Sequence, residues 1–264
     1  MSSTDLSQFY ELGYQIVPGL IDRPTVDAVR DFLERELAAL DPVFEKYGFR
    51  HDDHSAATVI DDVLSHTRAS LDNPDWHLLS GHFPLKTRLS RELWSLVAAP
   101  RLQNILRELL ASSKIFMHMP PMARYVLPNN RSAAVPAHQD ISYNSHLADF
   151  IVAWVPLVPI DDQCGGMAVY ERSHRAPITL DAGAAEGWFP DLATESFVKR
   201  VCAPMEPGDA ILFGPTLIHG SVPNISNHTR FSLDMRFFPE SGYSSRHVLD
   251  LQNWAVLEPT SPKE

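Results

Sequence analysis

The hydrophobic pattern of this 264-residue chain changes period once, near residue 114. Before that point apolar residues recur at helical spacing. Val26, Val29, Phe32, Leu33 and Leu37 follow Asp22-Arg-Pro24, in which Asp22 suits an N-cap and Pro24 the first turn. Leu93, Leu96, Val97, Leu102, Ile105, Leu106, Leu109 and Leu110 mark a second helical region over 90–111, broken at Pro100. A short helix over 5–13 and a strand over 14–17 precede both. After residue 114 the apolar runs become short: 115–119, 122–127, 150–155, 168–170, 197–201, 210–213 and 230–238. Turns such as Pro128-Asn-Asn130, Cys164-Gly-Gly166 and Pro207-Gly-Asp209 separate them. Many short strands with frequent turns build a sandwich or barrel, and helices that come first pack outside it. The expectation is therefore a mainly β protein with flanking helices. It is one domain over 1–264, with a helical part to about 113 and a β core over about 114–240.

Two segments break the pattern. Residues 41–85 read as irregular and polar, and 181–196 do not fit the strands around them; both are expected to form a lid, since long loops in compact domains often cover sites. The first holds His51, His54, His66, His77 and His82 at no metal-binding spacing, so these read as solvated loop histidines.

Composition removes several function classes. A formal charge of −11 argues against a nucleic-acid backbone or an anionic membrane surface as the main partner. Cys164 and Cys202 make neither a metal motif nor a disulfide framework. Residues 1–8 carry no basic stretch followed by an apolar run, and no apolar run approaches the ~18 residues that span a bilayer. A reducing cytoplasm and a small-molecule partner are expected.

Chemistry concentrates in Val135-Pro-Ala-His138-Gln139-Asp140. In an extended segment residues i and i+2 point to the same side, so His138 and Asp140 can face one metal while Gln139 points away. His219, in Leu217-Ile-His219-Gly220-Ser221, follows the apolar strand 210–213 and is the candidate third ligand. Two imidazoles and a carboxylate with open positions form the facial triad of a non-heme Fe(II) oxygenase, leaving room for a bidentate oxo-acid and O2. Arg230 lies eleven residues past His219, and its planar fork suits the far carboxylate of such an oxo-acid. A bare His-x-Asp is ordinarily just a hydrogen-bonded pair at a strand end; the ordered set His138, Asp140, His219, Ser221 and Arg230 is what makes the pattern specific.

Over residues 9–238 the sequence resembles the phytanoyl-CoA dioxygenase family of Fe(II)- and 2-oxoglutarate-dependent oxygenases. Phe9-Tyr-Glu-Leu-Gly-Tyr-Gln-Ile-Val-Pro-Gly19 is similar to the family's entry helix and strand, and His138-Gln139-Asp140 to its metal motif. Glu206-Pro-Gly-Asp-Ala-Ile-Leu-Phe213 is similar to the turn and strand before the distal histidine. The resemblance implies a double-stranded β-helix, or jelly-roll, core. It implies Fe(II) on His138, Asp140 and His219, with 2-oxoglutarate and O2 as cosubstrates. Arg230 and Ser221 would hold the oxo-acid, Trp154 would stand beside it, and Arg124, on the strand before the metal motif, is a further candidate pocket contact. Tyr143 and Asn144 follow the metal motif, where they would touch substrate or shape a turn. Asp140 disfavours halogenation, which needs a small residue there. One departure stands out: Arg172 in Glu171-Arg172-Ser173-His174 occupies a position where the family often has Gly, which puts the local turn in question. The implied reaction is C–H oxidation, in the simplest case hydroxylation, coupled to release of succinate and CO2. A polar metabolite is favoured over an acyl-CoA, whose phosphates prefer basic patches. The competing readings are a non-catalytic metal-binding β-barrel serving as sensor or binding module and, more weakly, a hydroxylase of protein or nucleic acid.

Overall fold

A computed structural model gives the fold and describes residues 5–67, 73–142, 144, 149–176, 199–242 and 244–259. The amino-terminal part opens with α1 (Ser7–Leu12), which stops at Gly13. Gly13 has φ 92° and donates its N–H to Phe9 O at 2.9 Å. A Cβ there would lie 2.4 Å from His174 Nδ1, so only glycine allows both the turn and this close approach. After β1 (Tyr14–Val17) comes α2 (Arg23–Ala38), capped as its sequence predicts: Asp22 accepts from Thr25 N at 3.0 Å. Val26, Val29, Leu33 and Leu37 form its buried face.

The segment expected to be irregular is instead largely helical, with α3 (Asp41–Phe44), α4 (Ala56–Thr67) and α5 (Asn73–Leu79). Ala56, Ala57 and Ile60 are its buried helical stripe. Small apolar residues among many polar ones made that stripe hard to see, and two of the helices are too short to show a period. Then follow α6 (Leu85–Arg88), α7 (Trp94–Val97) and α8 (Pro100–Leu109), with Pro100 as the first residue of α8. Among the described residues no helix is long and apolar enough to cross a membrane.

The strands that follow are β2 (Ile115–His118), β3 (Met122–Val126), β4 (His138–Gln139), β5 (Ile151–Pro156), β6 (Met167–Tyr170), β7 (Arg200–Cys202), β8 (Ala210–Phe213), β9 (Ile218–Ser221), β10 (Arg230–Pro239), β11 (Val248–Asp250) and β12 (Ala255–Leu257). The expected lid at 181–196 lies outside the described residues. β3, β10, β5 and β8 are neighbours in one antiparallel sheet, and β4, β9, β6 and β7 form the second. Chain order therefore alternates between sheets, with the β6–β7 pair turning back within one of them. That is the jelly-roll topology. The larger sheet is extended by β1 beyond β8 and by β2, β11 and β12 at the other side. β2 and β3 both pair with the same edge of β10, as Phe237↔Met117 and Arg230↔Val126 show. Met119-Pro120-Pro121 interrupts them, because proline has no N–H to give to the ladder.

All six residues of β5 and all four of β8 are buried, so both faces of the large sheet are covered. The second sheet covers one face and the helices the other; Leu33, Leu102 and Leu106 share one core with Ala153, Leu212 and Met235.

The turn after β6 keeps its shape despite the arginine. Arg172 adopts φ 65°, ψ 1°, the left-handed region that glycine favours. Its N–H donates to Leu12 O at 2.8 Å, and its guanidinium meets Glu11 at 2.6 Å on the exposed surface. The turn is worth keeping because Ser173 Oγ accepts from Ile218 N at 2.8 Å, at the start of β9. A side chain in that region costs about 1 kcal/mol, whereas the exposed ion pair contributes little. Arg172→Gly is expected to be about 1 kcal/mol more stable than Arg172→Ala in urea denaturation. Equal midpoints would mean that the backbone conformation carries no cost.

Candidate metal centre and its pocket

The second sheet brings two histidines together as direct cross-strand partners, His138 on β4 opposite His219 on β9. Each ring is anchored through Nδ1 to a carbonyl two residues upstream. His138 reaches Pro136 O at 2.8 Å and His219 reaches Leu217 O at 3.0 Å. A carbonyl only accepts, so each Nδ1 must carry a proton, which turns each Nε2 toward Asp140. Burial, assisted by His138, lowers the His219 pKa to about 4 against the pull of Asp140, so the imidazole is neutral at pH 7.

Asp140 completes the group by a different local geometry from the one expected. β4 ends at Gln139, and Asp140 begins a 3-10 turn over Asp140–Ser142. The carboxylate still converges on the histidines, with Oδ1 3.5 Å from His138 Nε2 and 3.9 Å from His219 Nε2. Gln139 does point away, donating to Thr216 O at 2.7 Å. One ligand atom from each of His138, Asp140 and His219 lies within 4.8 Å of the others. Ligands held about 2.1 Å from one ion lie at most about 4.2 Å apart, and both histidine–aspartate distances meet that limit. The donor set fits a divalent transition metal.

Arg236 was not among the expected site residues, yet it holds the other carboxylate oxygen. Its Nε and Nη2 lie 3.0 and 2.9 Å from Asp140 Oδ2. Burial alone would raise the Asp140 pKa, but Arg236 and the two histidines overcome it and keep the group well below the usual carboxylate range. Asp234 sits beside the pair, 3.5 Å from Arg236, and burial reinforced by Asp140 pushes its carboxyl up to about 6. The signal for these residues was present in β10, where Arg230-Phe-Ser-Leu-Asp-Met-Arg236 alternates strictly. Arg230, Ser232, Asp234 and Arg236 line a cavity of about 460 Å³, while Phe231, Leu233 and Met235 are buried in the core.

The expected cosubstrate residues surround the same cavity. Arg230, Ser221, Trp154 and Arg124 all line it. Arg230 gives Nη1 to Val222 O at 2.9 Å and keeps a buried Nε with no hydrogen-bond partner. Arg124 is turned partly to structure: its Nη2 binds Ser80 O at 3.0 Å and Ala133 O at 2.9 Å. Its neighbour Tyr125 faces the core, where its hydroxyl donates to Leu78 O. Asn144 lines the cavity and also braces the 3-10 turn, donating from Nδ2 to Asp140 O at 2.9 Å. Tyr143 lies outside the described residues. The reading of the 41–85 histidines as solvated holds for His54 and His77, which are exposed, although His77 also lines the cavity. It needs correction at His82, half-buried in the cavity wall, and at His51, half-buried and 2.8 Å from Asp41 Oδ1. The side chain of His66 lies outside the described residues.

The chain is similar to known proteins along most of its length. A family model described as phytanoyl-CoA dioxygenase matches residues 9–232. The chain is 27% identical over 262 residues to 1-deoxypentalenic acid 11-beta-hydroxylase of Streptomyces exfoliatus, covering 92% of this chain and 84% of that protein. Its fold is similar to that of the epimerase SnoN, solved with Fe3+, alpha ketoglutarate and nogalamycin RO, at a TM-score of 0.62 and 17% identity over 90% of this chain and 83% of SnoN. The non-heme alpha ketoglutarate dependent carbocyclase SnoK gives a TM-score of 0.60 at 16% identity over 100% of this chain and 94% of SnoK.

Because Arg236 secures the half of Asp140 that faces away from the histidines, its loss should act on the centre without removing a ligand. Arg236→Gln is expected to weaken Zn(II) binding by about 10–100-fold, as loss of a ligand's supporting partner does. It should also cost about 3 kcal/mol of stability by leaving a buried carboxylate uncompensated. Calorimetric Zn(II) titration and urea denaturation measure the two, and unchanged Zn(II) affinity would remove Arg236 from the centre.

Proposed function

This chain belongs to the phytanoyl-CoA dioxygenase family, and on that premise we propose that it is an Fe(II)- and 2-oxoglutarate-dependent dioxygenase that oxidises a C–H bond of a small-molecule metabolite, hydroxylating it in the simplest case. O2 is the oxidant, and succinate and CO2 are released. The observation that carries the reading is the convergence of two Nε2 atoms and Asp140 Oδ1 at the wall of a cavity that also holds Arg230, a buried arginine with an unpartnered Nε.

The bound Fe(II) supplies the redox chemistry of O2 activation, coupled to decarboxylation of the oxo-acid. The protein supplies position and charge. Two neutral imidazoles and one carboxylate leave a divalent ion with a net +1, which favours an anionic oxo-acid beside it. Arg230 offers a fork to the distal carboxylate of 2-oxoglutarate, and Ser221 adds a hydroxyl from β9 in the second sheet. Trp154 forms an apolar wall that keeps water off that side. Arg124 fixes the segments at Ser80 and Ala133 and so shapes the cavity floor. Arg236 keeps Asp140 ionised and oriented. Arg124, Arg230 and Arg236 each hold a hydrogen bond within the fold before anything binds, which limits the reorganisation required during reaction.

Anaerobic titration with Fe(II) and 2-oxoglutarate tests the proposal through the visible charge-transfer band of the chelate. The wild type should develop the band and His219→Ala should not. Arg230→Ala should need about 10–100-fold more 2-oxoglutarate, the effect of losing a charged hydrogen bond of 1.5–3 kcal/mol. A well-folded wild type without the band overturns the oxygenase reading and leaves a metal-binding barrel.

A further inference from the structure

The cavity carries more positive charge than the metal centre and the cosubstrate clamp use. Among the described residues, Arg88, Arg124, Arg230, Arg236 and Arg246 line it, against the carboxylates of Asp140 and Asp234, in a chain whose formal charge is −11. The local excess of three positive charges persists when the site fills, because a divalent metal and the 2-oxoglutarate dianion cancel one another. Three arginines have work already assigned. Arg236 holds Asp140, Arg124 binds the carbonyls of Ser80 and Ala133, and Arg230 faces the cosubstrate position.

Arg88 and Arg246 remain. Neither has a carboxylate within 4 Å among the described residues, nor a hydrogen bond to one. Arg88 ends α6, and its place is fixed twice over. Its Nε donates to Pro121 O at 2.9 Å, and the adjacent Thr87 hydroxyl donates to Glu36 on α2 at 2.6 Å. That arrangement pins the guanidinium and leaves both Nη groups unassigned. Burial, together with the like charges of Arg236 and Arg246, lowers the Arg88 pKa to about 10, so it is still protonated at neutral pH. Arg246 stands in the connection between β10 and β11 and is exposed. It borders both this cavity and an adjoining apolar groove lined by Leu85, Leu89 and Val256, which puts it at the mouth. Arg88 and Arg246 repel one another beside this cavity, and Asp234 offsets only part of the charge on Arg88, so an anion relieves the pair. Trp76, Pro120, Met122, Val135 and Met167 supply apolar wall for the rest of such a molecule.

We propose that the substrate is a small organic acid whose carboxylate binds Arg88 and Arg246, its carbon skeleton lying across the apolar wall toward the metal. This rests on the oxygenase reading for the identity of the site, but not for the anion contact itself. A carboxylate is the commitment. The phosphates of an acyl-CoA are the competing source of negative charge at the same place.

The test uses the full chain loaded with Zn(II), which is redox-silent, and saturated with 2-oxoglutarate. Decanoate, methyl decanoate and decanoyl-CoA are titrated in turn, with tryptophan fluorescence as readout, since Trp76 and Trp154 line the cavity. Decanoate should bind at least tenfold more tightly than its ester. Arg88→Gln and Arg246→Gln should each remove about tenfold of that preference, and raised salt should weaken it. Arg246→Gln, at an exposed position, keeps the test readable if Arg88→Gln fails to fold. The 2-oxoglutarate affinity, measured alongside by calorimetry, should not change in either variant. The proposal is overturned if acid and ester bind alike, if neither binds, or if both variants keep the wild-type preference. It is also overturned if decanoyl-CoA binds more tightly than decanoate with the same arginine dependence, which would assign the pair to CoA phosphates. Loss of 2-oxoglutarate binding in the wild type, with the decanoate preference intact, would instead count against the oxygenase reading.

Discussion

The register between β4 and β9 is the constraint on which the site depends. It sets His138 opposite His219. Side chains alternate along a strand, so a slip of one residue would send one imidazole to the opposite face and dissolve the group. β4 is two residues long and could not hold that register by its own ladder. Bonds from outside the pair do it instead. Ser221 N donates to Val135 O at 2.8 Å at one end, Gln139 reaches Thr216 O at the other, and Ser173 Oγ takes the N–H of Ile218. The middle residue of His-Gln-Asp thus has a mechanical role: its buried amide staples the metal motif to the approach of the opposing strand.

How much of this could be read from the residues alone varies with the distance over which the signal acts. His138, Asp140, His219 and Arg230 were legible because two short motifs and one spacing define them. The jelly roll followed from the resemblance, and the alternation of strands between two sheets agrees with it. Arg236 was visible in the alternation of β10, but no motif asks for an arginine six residues past Arg230, and only the fold shows that it meets Asp140. His82 was misread, and the place of His77 beside the cavity missed, because nothing near them in sequence implies a cavity; the fold carries the end of α5 to it. In 41–85, α3 and α5 were missed because four and seven residues cannot display a period of 3.6, and α4 because its buried stripe is made of small apolar residues among polar ones. Arg172 is the reverse case. The residue looked wrong for the turn, yet the backbone takes the left-handed conformation all the same, held by Leu12 and by the bond from Ser173 to β9.

The electrostatics of the site run against those of the chain. An acidic protein keeps five arginines around one cavity, and the field there is set by local burial rather than by net charge. Arg124 and Arg236 are satisfied by partners within the fold, and Arg230 faces the position proposed for the cosubstrate. Overall composition argues against a polyanionic partner such as a nucleic acid, but says nothing about a single carboxylate entering a desolvated pocket.

Gly13 links the beginning of the chain to the metal. Its missing side chain lets His174 and Leu217 close against the end of α1; a Cβ would lie 2.4 Å from one and 2.9 Å from the other. Leu217 is also the residue whose carbonyl orients His219. The first helix therefore acts as a wedge that sets the angle of a ligand more than two hundred residues away in sequence. A side chain in place of Gly13 would therefore be felt at the distal histidine, through Leu217.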